Sequence, residues 1–135
     1  MFEHFHPRHI PALIAANTMA FGGMWPIVDP RGAMREFGFP DRIAGSPEAA
    51  PVMVIGNVRT TVLGLLMLLF YSRQQFDILD TFMAITGAYA GLVDSYVVWR
   101  EGNHRQAIFR LISSSLISAW GMLGWTEGAA ARANL

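Results

Sequence analysis

The chain contains no cysteine and no lysine. Without thiols there is no disulfide framework and no thiolate metal site, and cysteine usage says nothing about the redox compartment. All ten basic residues are arginine, balanced by ten acidic residues to a formal net charge of zero. That balance provides no basic footprint for nucleic acid. Charged residues make up 15% of the chain and apolar residues 53%, whereas about a quarter of an ordinary soluble domain is charged. The deficit points to a chain whose main solvent is the lipid bilayer. Its 135 residues suffice for one domain and are too few for two comfortable ones.

Four apolar stretches fill the space that charge leaves, at residues 10–28, 51–71, 78–99 and 106–125. Each is close to the ~20 residues with which an α-helix crosses about 30 Å of hydrocarbon. The first, "IPALIAANTMAFGGMWPIV", holds no charged residue, with Asn17 near its centre and Trp25 placed for an interface. The second carries Arg59 alone, the third Asp80 at its start and Asp94 near its end, and the fourth only Arg110. A soluble four-helix protein needs a polar stripe on every helix, and these segments lack the charges to make one. The expectation is therefore an all-α, antiparallel four-helix bundle integral to a membrane, with residues 1–135 forming one domain.

The connections set the topology. "SRQQFD" and "REGNHR" are short enough to force antiparallel neighbours. The longer first connection, "DPRGAMREFGFPDRIAGSPEAAP", is rich in Pro, Gly and charge. Its piece "RGAMREF", residues 31–37, suits a short amphipathic helix on the membrane surface, followed by an irregular loop that either covers a pocket mouth or is simply solvated. The apolar run after Arg8 makes a poor secretory signal, since Glu3 precedes it and its length is that of a span. It is expected to be the first membrane helix. Arg8, Arg73 and Arg132 fall on one side, and Arg31, Arg35, Arg42, Arg100 and Arg105 on the other, which places the second side in the cytosol. The localisation expected is multi-pass, in the endoplasmic reticulum.

In this topology the end of the first span, the start of the second, the end of the third and the start of the fourth share one membrane side. Arg59 lies about eight residues inside its span, Asp94 about five and Arg110 about four, at 1.5 Å per residue. Intramembrane charges are costly and usually face the bundle interior in pairs. The economical pairing is Arg59 with Asp94, with Arg110 as a second cation. Gly87, Ala90, Gly91, Asp94 and Glu101 share one face of the third span. "GAYAG" also fits the Gly-x-x-x-Gly pattern of close packing, within one chain or between copies in a homo-oligomer. Arg110, Ser113, Ser114, Ile117, Gly121 and Gly124 make a small, partly polar face on the fourth. Asn57, Thr60, Thr61 and Gly64 share a face of the second, about 200° away from Arg59. Arg59 therefore either reaches around its helix, or the helix begins irregularly near Gly56.

Each feature has a plainer reading. The charge pair can fix helix register without chemistry, and Arg110 can extend its head to the interface. Asn17 can hydrogen-bond another helix. The serines can bond their own helix carbonyls, and the eight Met can serve packing. His4, His6 and His9 in "HFHPRH" lack an evident carboxylate partner, so a frayed segment is expected there in place of a metal site. Glu101 and His104 can form a surface acid–base pair or lie in an exposed turn. There is no Gly-rich phosphate loop, Ser elbow or His-Glu-x-x-His motif, and no cofactor is expected.

"DPRGAMREFGFP", "GNVRTTVLGLLML" and "GLVDSYVVWREGNHRQAIFR" resemble, in this order, the blocks of an uncharacterised family of small four-span membrane proteins, often fungal, found among secondary-metabolite genes. The resemblance covers most of the chain between Asp29 and Arg110. The family's Arg early in the second span falls on Arg59, its Asp late in the third on Asp94, and its glycine turn on Gly102. Two positions depart from it. Thr60 stands where an Asp often follows the Arg, and Arg110 where the fourth span often has a His. The resemblance implies epoxide opening in polyene or polyketide pathways.

Epoxide opening needs a carboxylate to activate water or attack carbon, and a cation or acid for the developing alkoxide. In that picture Asp94 is base or nucleophile and Arg59 orients it, while Arg110 or Asn57 binds the oxygen. Asn17, Glu101 and His104 are further candidates for substrate contact. The expected partner is a lipophilic small molecule. The competing readings are a non-catalytic membrane ligand carrier or scaffold, and an isomerase or cyclase that protonates an alkene.

Overall fold

The computed structural model describes residues 5–128, which are helical with no strand among the described residues. The elements run α1 (Pro7–Val28), α2 (Pro30–Phe37), α3 (Asp41–Ala44), α4 (Ala49–Ser72), α5 (Phe76–Arg100) and α6 (His104–Met122). Three of them, α1, α4 and α5, are long and apolar enough to cross a membrane. The fourth long helix, α6, has 19 residues, but its first two turns hold His104, Arg105, Gln106 and Arg110, with Ser113, Ser114 and Ser115 following. Four membrane spans were expected; among the described residues three helices are long and apolar enough, and the fourth is more polar and packs along α5.

Local chemistry explains where the helices begin and end. The first starts earlier than expected because Pro7–His9 forms a 3-10 turn, with His6 Nδ1 accepting from the Arg8 backbone N–H at 3.3 Å. That segment is ordered, where a frayed one was expected. The surface helix is α2: Asp29 caps it by accepting from the Gly32 N–H at 2.8 Å, and Gly38 ends it at φ 116°. The stretch after it is not irregular throughout, because Asp41–Ala44 adds a turn of helix. Asn103 starts α6 by accepting from the Gln106 N–H at 3.2 Å.

Small residues bring the long helices together. Ala12, Ala16 and Ala20 are fully buried on α1, facing Gly64 of α4, where an added Cβ would lie 2.8 Å from the Ala16 carbonyl oxygen. Between α5 and α6, a Cβ at Gly87 would lie 2.6 Å from the Ser114 carbonyl oxygen and 2.7 Å from the Ser118 nitrogen. "GAYAG" therefore serves packing within the chain. The Ser118 hydroxyl adds a crossing hydrogen bond to the Ala84 carbonyl at 2.9 Å. Met67, Tyr71, Phe76, Leu79 and Met83 fill the centre against α1. Ile14, Phe21, Ile27, Leu92 and Leu116 are exposed, an apolar exterior suited to lipid. Two π-helical turns, Thr18–Gly22 and Thr86–Ala90, widen α1 and α5. Such turns often stand beside functional sites.

Candidate functional site

A cavity of about 490 Å³ lies between the first half of α4 and the part of α5 that follows its π turn. Met34, Phe37, Phe39 and Ile43 roof it, Val52, Met53, Gly56, Asn57 and Thr60 form its α4 wall, and Ala90 and Asp94 its α5 wall. The α4 residues recur at three- and four-residue spacing, which puts them on one helix face. Ala90 closes the π turn and Asp94 stands one turn beyond it. The volume falls within the range of small-molecule sites, and the lining is mostly apolar with few polar groups, as such sites are.

The polar end is held by one arginine. Arg110 Nη1 lies 3.9 Å from Asp94 Oδ2. Its Nε donates to the Phe37 carbonyl at 2.8 Å, and its guanidinium sits 3.7 Å from the centroid of the Phe37 ring. Phe37 in turn stacks on Phe39 at 5.0 Å. Gln106 Nε2 donates to the Glu36 carbonyl at 2.9 Å and Asn103 Nδ2 to the Gly38 carbonyl at 3.4 Å. Residues 103, 106 and 110 share one face of α6 and serve three consecutive carbonyls at the end of α2, groups that a helix cannot satisfy itself. The roof of the cavity is thus fastened to the fourth helix.

The placement of Arg59 corrects the expected pairing with Asp94. Arg59 is exposed, belongs to no ion pair among the described residues, and Asp94 pairs with Arg110. The physical reason is helix phase: α4 is regular through Gly56, and 100° per residue turns Arg59 away from Thr60 and Asn57. Asn57 lines the cavity. Its Nδ2 donates to the Met53 carbonyl at 3.0 Å, which engages one of its two N–H donors.

Other candidates lie elsewhere. Asn17 is exposed and donates to the Leu13 carbonyl at 2.7 Å, one turn back on its own helix. Glu101 and His104 do not meet as an acid–base pair: Glu101 is bound by Arg42, and His104 packs on Trp99 with ring centroids 4.1 Å apart. His9 is buried, with Nδ1 3.2 Å from the Tyr71 hydroxyl and its ring stacked on Phe76. His4 lies outside the described residues. Asp80 is a structural anchor, accepting from the backbone N–H groups of Thr126 at 3.3 Å and Glu127 at 2.8 Å. Ser114 bonds the Arg110 carbonyl at 2.7 Å, a helix-internal bond as its position suggested.

Sequence reasoning singled out Arg110 but missed Phe37 and Phe39 in the roof, and missed that Asn103 and Gln106 join Arg110 in one donor face. Two signals were available. "FGFP" places aromatics on both sides of a glycine, and the three donors follow helical spacing.

Three apolar spans, a surface helix fastened across them and a mostly apolar cavity with one ion pair at its end define a small helical membrane protein. The chain belongs to the family described as a domain of unknown function, DUF4267, which matches residues 16–124. The match takes in every residue that lines the cavity. An uncharacterised family is what the sequence blocks led one to expect. Neither curated proteins nor solved structures provide a match.

Proposed function

We propose that this protein is a small membrane enzyme that opens an epoxide on a lipophilic natural-product intermediate, of polyene or polyketide type, with Asp94 as its base. The observation that carries the reading is the Asp94 carboxylate in the wall of an apolar cavity of about 490 Å³. An apolar pocket admits an oily substrate and holds bulk water away from the reacting carbon. Asp94 takes a proton from water, or from a hydroxyl of the substrate itself, as that oxygen attacks the epoxide carbon. The carbon–oxygen bond breaks, and the remaining N–H of Asn57 supports the developing alkoxide until it receives, directly or through water, the proton that Asp94 removed, which restores the base. Arg110, 3.9 Å away, orients Asp94, the role first expected of Arg59. The test is turnover of a panel of long-chain epoxides by the purified protein in lipid nanodiscs, in water enriched in oxygen-18. Hydrolysis incorporates the label and cyclisation does not; epoxides left intact across the panel would sink the reading.

A second reading, a non-catalytic carrier of a lipophilic ligand, draws on the several bonds of Arg110, which give the ion pair a purely architectural use. Asp94→Asn separates the two. A carrier keeps ligand binding at wild-type strength, and an enzyme keeps binding but loses conversion.

A further inference from the structure

We propose that the ligand of this cavity is a lipophilic monoacid, with its hydrocarbon body inside and its carboxylate paired with Arg59 at the lateral mouth. The inference rests on the cavity being the ligand site. Three observations support it.

The first is position. At 100° per residue Arg59 lies about 20° from Val52 on the α4 surface and one turn beyond Gly56, and both Val52 and Gly56 line the cavity. A Cβ at Gly56 would meet nothing within 4 Å, so the wall is open beside Arg59. The second is depth. Arg59 stands between Asn57 and Thr60, which share the cavity with Asp94, at about 15 Å from the start of α4. That is deeper than the terminal turns from which an arginine head reaches the interface, and an unpaired guanidinium at such depth is costly.

The third is charge. At this level α4, α5 and α6 hold two guanidinium groups, Arg59 and Arg110, and one carboxylate, Asp94. Arg110 is engaged by Asp94 and the Phe37 carbonyl, with exposed Glu36 acting on it from the surface helix. With Asp94 and Glu36 both acting on Arg110, the guanidinium of Arg59 is the cation at this level that has no carboxylate partner among the described residues. A monoanionic ligand neutralises it and a neutral one does not.

The test uses a photoreactive long-chain fatty acid carrying a diazirine, and its methyl ester, with the full chain in phosphatidylcholine nanodiscs and cross-linked peptides mapped by mass spectrometry. In wild type the acid should label cavity peptides of α4 and α5 about tenfold more than the ester, the discrimination expected of one charge-assisted pair. Arg59→Gln should abolish that preference while the ester still labels, and Arg59→Lys should retain most of it. The acid-to-ester ratio in wild type stands whether or not either variant folds.

Equal labelling by acid and ester in wild type, or an undiminished preference in a folded Arg59→Gln protein, overturns the inference and leaves the cavity reading intact. Labelling of the cavity by neither probe overturns the cavity reading itself. If Arg59→Gln instead dissociates an oligomer and leaves the acid preference unchanged, Arg59 serves a second copy of the chain and the proposal fails. If phosphatidylglycerol displaces the acid, the anion is a bilayer phosphodiester and not a free acid.

Discussion

Arg110 on α6 places Nη1 3.9 Å from Asp94 Oδ2 on α5. The same guanidinium donates to the Phe37 carbonyl and covers the Phe37 ring, so one side chain joins the polar end of the cavity to its roof. Position of the carboxylate and closure of the roof are therefore coupled.

This coupling predicts the effect of Arg110→Gln. Loss of the ring contact and of the charge-assisted hydrogen bond should weaken docking of α2 by about 1–3 kcal/mol. Amide hydrogen exchange across residues 34–44 should accelerate accordingly. Arg110→Lys, which keeps the charge without the planar fork, should fall between the two. Unchanged exchange in Arg110→Gln would show that the roof is held by other contacts.

Gly38 offers a test of the same roof from the backbone side. Its φ is 116°, and an added Cβ would lie 2.7 Å from Val98 Cγ1 and 2.9 Å from Gln106 Cγ. Gly38→Ala should therefore lower stability by roughly 1–3 kcal/mol through strain and crowding together. Thermal unfolding in detergent reads this as a lower Tm. An unchanged Tm would show that the connection can adopt another path without cost.

The contact of α1 with α4 depends on Gly64. A side chain there meets the Ala16 backbone at 2.8 Å, and backbone cannot step aside as a flexible side chain can. Gly64→Leu should destabilise the bundle by at least about 1–3 kcal/mol, whereas Leu65→Ala, at an exposed neighbour, should change little. Equal Tm values for the two variants would contradict the close approach.

At the opposite end of the bundle, Asp80→Ala should release the turn after α6. Asp80 is 3% exposed and accepts two backbone N–H groups, from Thr126 and Glu127. Leaving buried donors unpaired costs about 1–3 kcal/mol. Hydrogen exchange at residues 126 and 127 should rise first, and protection maintained there would assign the anchor to another group.

The spans were legible because lipid imposes a length and a near-absence of charge, and residues 51–71 and 78–99 come within two residues of α4 and α5. The surface helix was legible from the spacing of "RGAMREF". Asp94 stood out as a carboxylate late in an apolar span, and Asn57 lies on the cavity face of its helix. The Arg59–Asp94 pairing failed because depth along an axis is read from residue counts, while rotation about it depends on helix phase across the bundle. Arg110 turns toward Asp94 and Arg59 turns away from it. Phe37 and Phe39 escaped notice because a loop's docking site is set by contacts 60 or more residues away, such as Arg110 with the Phe37 carbonyl, 73 positions apart. The π turn before Asp94 also leaves no mark in apolar periodicity.

The central claim is that the Asp94 carboxylate acts on a molecule bound in the cavity. Its most direct test is Asp94→Asn in nanodiscs, an isosteric change that removes the base and keeps the volume, assayed against a long-chain epoxy acid that wild type converts. Binding of the acid should persist, while turnover should fall by about 100-fold or more. Turnover at the wild-type rate by a folded Asp94→Asn protein would contradict the account.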